Sequence, residues 1–147
     1  MITTRNLLGT ALLGATLAVA GCGMMPMSKT SSATNQMSGA QEVPPKPGPG
    51  AGTVVTTLNK ETRALRWTIT YSGVSGPVTA GHFHGPAAAG ANAGVALPFS
   101  GSLASPIEGN ATLTEAQMAD VVAGRWYANL HTAANPGGEI RGQVTGH

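Results

Sequence analysis

An all-β, antiparallel fold carrying one short helix is what this sequence predicts, as a Greek-key β-sandwich or a barrel. Three observations predict it. The 21 glycines and 10 prolines, with charged residues at only 10%, favour turns over a helical bundle. Six to eight short runs of Val, Ile, Thr and aromatic residues alternate with Gly/Pro-rich turns. No strand-helix-strand rhythm occurs that would build a parallel sheet, and no internal repeat is evident.

The chain opens with a targeting pattern over residues 1–21. Arg5 supplies the positive start, residues 7–20 form an apolar run, and Val19-Ala20-Gly21 closes it with small residues before Cys22. The run falls short of the roughly 20 apolar residues of a membrane-spanning helix. It resembles a bacterial lipoprotein signal. That resemblance implies cleavage before Cys22, acylation of its thiol, and a chain tethered outside the cytoplasm, with Gly23 pointing to the outer membrane. Cys22 is the only cysteine, so no internal disulfide forms.

Residues 22–38 are rich in Met, Ser, Thr and Asn and read as a flexible tether. Met24, Met25, Met27 and Met37 are soft thioether donors, but in such a tether the plainer reading is that they bind nothing. The folded domain is expected over residues 39–147. Without Arg5 the chain has seven basic residues against six acidic ones. So small and scattered a charge does not suit nucleic acid.

Within the domain, Gln41 to Gly50 contains four prolines and predicts an extended edge segment, because proline donates no ladder hydrogen bond. A strand follows over 52–58, then a turn at Asn59-Lys60-Glu61-Thr62. Leu65, Trp67, Ile69 and Tyr71 alternate with polar or small residues and predict a half-buried strand with the Trp67 face inward. A turn at residues 72–77 leads into a strand over 78–84, followed by a long loop of small residues over 85–94. Short strands are expected over 95–99 and 107–113. Thr114 as N-cap, Gln117 three residues on and Gly124 at the far end predict the single helix. Strands over 125–132 and 139–144, joined by an Asn-Pro-Gly-Gly turn, form the closing hairpin.

The chemistry is concentrated in two of these strands. In the first, His82 and His84 share a face while Phe83 takes the other; in the second, Tyr127, Asn129 and His131 share a face opposite Trp126, Ala128 and Leu130. If the strands meet, three imidazoles converge. Neutral imidazole nitrogen suits copper and zinc, which makes His82, His84 and His131 candidate ligands. Asn129 or a carbonyl of the glycine-rich loop is expected to hold the rings from behind. His147 is a further donor at the end of the chain. The alternative is that these rings only hydrogen-bond backbone or water.

The stretches Ser38-Gly39-Ala40-Gln41-Glu42-Val43-Pro44-Pro45, His82-Phe83-His84-Gly85-Pro86-Ala87, Leu113-Thr114, and the long run from Tyr127-Ala128-Asn129-Leu130-His131-Thr132 through Asn135-Pro136-Gly137-Gly138-Glu139-Ile140-Arg141-Gly142-Gln143 resemble the CHRD domain, a family named from chordin. The resemblance spans about residues 38–144. It implies an extracytoplasmic β-rich module of the kind found in bacterial secreted proteins and animal chordins, and it implies little chemistry. Glu139 and Arg141 fall on one strand face and are expected to pair with each other or with a neighbouring strand.

Two functional classes therefore stand side by side. One is a lipid-anchored envelope protein binding copper or zinc through His82, His84 and His131. The other is a metal-free interaction module that meets a protein partner or a second copy of itself, with an exposed surface around Trp126 as its expected mark. Catalysis is not expected, because no Ser/His/Asp order, paired carboxylates or phosphate loop is present and Asp120 is the single aspartate.

Overall fold

A computed structural model describes Met1 and residues 28–147 of the chain. The stretch expected to be a targeting segment, the expected acylation position Cys22, and Met24, Met25 and Met27 lie outside the described residues. Eight antiparallel strands and one α-helix follow in the order β1 Thr30–Ser38, β2 Ala51–Asn59, β3 Ala64–Ser72, β4 Val78–His84, β5 Val95–Pro98, β6 Ile107–Thr112, α1 Glu115–Val122, β7 Trp126–Thr132 and β8 Ile140–Val144. They form one sheet, with strand order β5-β4-β7-β8-β1-β2-β3-β6.

That order makes two four-stranded halves, joined at the β1–β8 corner through the pair Ser38↔Arg141. The halves curl over each other. Trp67 on β3 and Phe83 on β4 stand near opposite ends of the strand order, yet their rings meet edge to face at 5.3 Å. Phe99 packs on both, at 5.5 and 5.0 Å. The expected antiparallel fold is thus realised as one curled sheet, with connections such as β3–β4 and β5–β6 crossing between its halves.

Alternation decides which side faces the core. Leu65, Trp67 and Ile69 on β3 are buried opposite Leu58, Thr56 and Val54 on β2. Gly109 sits across from Trp67, and a Cβ there would fall 2.2 Å from the indole, so the ring needs glycine as its neighbour. From the other half, Phe83, Trp126, Ala128, Leu130, Ile140 and Val144 complete the core. The helix begins as its sequence predicts: Thr114 and Gln117 exchange the two bonds of a capping box, and Val121 is its buried residue.

The tether is shorter than expected. Residues 30–38 are a strand, paired with β2 along nine consecutive positions. Ala33 and Met37 point into the core, so Met37 is a packing residue and not a free donor. The polar residues that disguise this strand have distant partners. Ser31 meets His147 Nδ1 at 3.0 Å, and Asn35 Nδ2 donates to Thr145. His147 is also docked through Nε2 to Thr56 at 2.8 Å and is not available as a fourth ligand.

A candidate metal centre on the outer face of β4 and β7

Because Phe83, Trp126, Ala128 and Leu130 take the core side, their sequence neighbours are pushed to the other face of the same half-sheet. The register sets them in two rows. His82 stands across from Asn129, which stands across from Arg141; His84 stands across from Tyr127, which stands across from Gln143. His131 lies across from Ala80, diagonal to His82. This face is roofed, so every residue of β7 is buried, including the polar ones. The roof consists of the 85–94 loop and the proline-rich segment after β1, tied together where Asn92 Nδ2 donates to the Val43 carbonyl.

The three histidines converge as the alternation predicts. Their candidate ligand atoms all lie within 4.8 Å of one another. His82 Nδ1 and His131 Nε2 are 3.1 Å apart, and the rings of His82 and His84 are 5.3 Å apart.

Hydrogen bonds to carbonyls fix two of the tautomers. A carbonyl only accepts, so His84 Nδ1, 3.0 Å from the Ala93 oxygen, carries its proton. His131 Nδ1, 2.9 Å from the Pro136 oxygen, does the same. Both Nε2 lone pairs are then free to accept. His131 Nε2 takes the bond from His82 Nδ1, while His84 Nε2 is buried and finds no partner among the described residues. A metal-ligating histidine is arranged in this way, its far nitrogen held by a carbonyl and its near lone pair presented to the ion. Burial, reinforced by the neighbouring His131 and His84 rings, holds His82 below the ordinary imidazole value. Burial does the same for His84, partly offset by the Ala93 carbonyl and reinforced by His131 and Arg141. Both shifts favour the neutral form that a metal needs.

The loop carbonyl expected behind the histidines is present as Ala93, but Asn129 does not hold a ring. Its Nδ2 donates to Glu42 Oε1 at 2.6 Å, and its Oδ1 is buried without a partner among the described residues. Glu42 is the residue sequence reasoning missed. It comes from the segment after β1 and is buried, and burial raises its carboxyl to about 7 against the opposing pull of Arg141, Asn129 and Lys46. Gly138 backs this pair with φ +123, and a Cβ there would fall 2.4 Å from Asn129 Nδ2.

Tyr127 braces the same face. Its ring is parallel to His84 at 4.9 Å, and Arg141 Cζ sits 3.4 Å above the ring centroid. Arg141 also reaches Asn92 Oδ1 at 3.1 Å and the Ala91 carbonyl at 2.7 Å, beside the Ala93 peptide that holds His84. Glu139 and Arg141 do not pair with each other; of the two expected arrangements the neighbouring strand holds, Arg141 on Tyr127 and Glu139 on Thr132 of β7. Glu139 instead accepts from the Ser75 backbone and hydroxyl, each at 2.6 Å, from Thr132 Oγ1 and from Asn135 Nδ2. These bonds hold its carboxyl below the usual range despite burial. The Asn-Pro-Gly-Gly turn is therefore clamped by Glu139.

A curled antiparallel sheet with a histidine cluster roofed by two loops defines the class of protein. The chain matches the CHRD domain over residues 33–144, and it belongs to that family. No curated protein and no solved structure shows a match.

Proposed function

We propose that this is a lipid-anchored, extracytoplasmic CHRD-domain protein that binds one copper or zinc ion through His82, His84 and His131. The observation that carries the reading is the buried, unpartnered Nε2 of His84, held by the Ala93 carbonyl beside two further imidazoles. Leaving such an acceptor unmet costs about 1–3 kcal/mol, and an ion removes that cost. Two imidazole ligands on a tetrahedral ion at about 2.0 Å stand roughly 3.3 Å apart. The 3.1 Å between His82 Nδ1 and His131 Nε2 is close to that spacing. Binding there moves the His82 proton from Nδ1 to Nε2 and leaves the ring neutral.

The anchor rests on the resemblance of the sequence around Cys22 to a lipoprotein signal; Gly23 after it supports an outer-membrane location, facing the periplasm or the cell surface. The interaction-module reading loses its expected mark, since Trp126 is 1% exposed. Isothermal titration of the full-length chain in detergent with copper(II) and zinc(II), beside the His82→Ala/His84→Ala variant, tests the proposal. One-site binding that vanishes in the folded variant supports it. Equal heats from both proteins refute it.

A further inference from the structure

The histidines do not fill their surroundings. A cavity of about 150 Å³ adjoins His84, and Glu42, Asn129, Tyr127 and Gly137 share its wall. Two residues of its wall carry a buried acceptor with no partner among the described residues: His84 Nε2, which the proposed ion takes, and Asn129 Oδ1, which it leaves open. Asn129 is 3% exposed and Glu42 6% exposed, so neither meets its needs from bulk water. The nearest cation, Arg141, is committed to Asn92, Ala91 and the Tyr127 face.

With His84 Nε2 given to the ion, Asn129 Oδ1 is the buried acceptor left over among the described residues, and it selects a guest that donates. An anion would meet Asn129 Oδ1 with its own lone pairs, at the cost of burying unmatched acceptors. A small neutral molecule with an N–H or O–H group satisfies them. The volume admits a guest of a few heavy atoms, since water takes about 30 Å³ in the liquid.

We infer that this cavity is the seat of an exchangeable, neutral, hydrogen-bond-donating ligand beside His84 of the histidine cluster, water in the first instance, held by Asn129 Oδ1 with Glu42 behind it. The inference rests on the metal reading. It gives that site a position left open by the protein and a preference for neutral donors over anions. Asn129 is a positioning residue here, because it acts on the guest and not on the ion. Its bond to Glu42 aims the amide: Nδ2 is spent on the carboxyl, which leaves Oδ1 to face the guest.

The test uses the full-length chain loaded with copper(II). Pulsed electron paramagnetic resonance in H₂O and in D₂O counts the imidazoles and detects an exchangeable proton-bearing ligand on the same ion. Wild type is expected to show histidine nitrogens together with a strongly coupled, exchangeable water, and azide titration is expected to leave that water in place. Asn129→Leu fills the cavity and removes the acceptor; it is expected to keep the imidazoles and lose the water. The exchanged pair Asn129→Asp/Glu42→Gln preserves an acceptor and is expected to restore it. Imidazoles without an exchangeable ligand in wild type, or ready displacement of the water by azide, overturn the inference and leave the metal site standing. Absence of imidazole coupling in wild type overturns both.

Discussion

Two buried polar clusters lie within a few residues of each other on β7 and the turn that follows, and they are built on opposite principles. Around Glu139, each carboxylate oxygen is met by donors from Ser75, Thr132 and Asn135. Around His84 and Asn129, two buried acceptors are left over among the described residues. Buried polar groups are almost always paired in a folded protein, so the first cluster explains itself as folding and the second does not. The difference separates a motif that closes a turn from one whose open acceptors the proposed ion and guest would complete.

The sharpest way to break the comparison is to remove each centre in turn. Glu139→Ala strands a backbone amide, two hydroxyls and an amide side chain, and is expected to cost roughly 3–5 kcal/mol in urea denaturation. If the loss is under about 1 kcal/mol, the cluster is not what holds the turn.

Adding the ion should stabilise only the other cluster. At a free zinc concentration about 100 times the dissociation constant, wild type is expected to gain about 2.7 kcal/mol. That corresponds to roughly 10 °C in thermal midpoint for a domain of this size. The His82→Ala/His84→Ala variant should gain nothing, and an equal gain would place the ion elsewhere.

Acidity separates the clusters next. Glu139 is held below its ordinary value, so its stabilisation is present above about pH 4.5 and is lost as pH falls through the folded value. Glu42 has the opposite sign. Its carboxyl is raised to about 7, so the native state binds the extra proton and metal-free stability falls as pH rises from about 4.5 to 7. His82 and His84, both lowered, oppose this by costing stability as pH falls below about 6.5. Comparing wild type with Glu42→Gln isolates the carboxyl, and the variant is expected to gain on the order of 2 kcal/mol on wild type between pH 5 and 7. A flat difference across that range would mean that Glu42 is ionised as readily as in water.

The smallest effect expected is that of His84→Ala without metal. It removes an unmet acceptor along with the stacking on Tyr127, and should cost about 1 kcal/mol. A cost equal to that of Glu139→Ala would make His84 a structural residue.

Much of this was legible from residue order alone. Alternation placed Trp67 inward, put His82 and His84 on one face opposite Phe83, and offered His131 as a third ring once the two strands met, because a strand's side-chain period is local. What alternation does not carry is what lies over a face. Glu42 reaches Asn129 across 87 residues, and Arg141 reaches the 91–92 loop across about 50. Strand β1 was hidden for the same reason: Ser31 and Asn35 break the apolar pattern of its inner face, and the chain's last residues satisfy them. Shared parity left open whether Glu139 and Arg141 pair with each other or with the neighbouring strand; the strand won, because hydroxyls serve one better and an aromatic face with carbonyls the other.

The claim that the second cluster is held ready for an ion is tested most directly by nitrogen NMR of the histidine rings, without metal and with one equivalent of zinc. The account predicts that His84 and His131 are neutral and protonated at Nδ1 before addition, and that both Nε2 resonances shift on binding while the two Nδ1 protons persist. A His84 ring protonated at Nε2 in the metal-free protein, or rings unmoved by zinc, would contradict it.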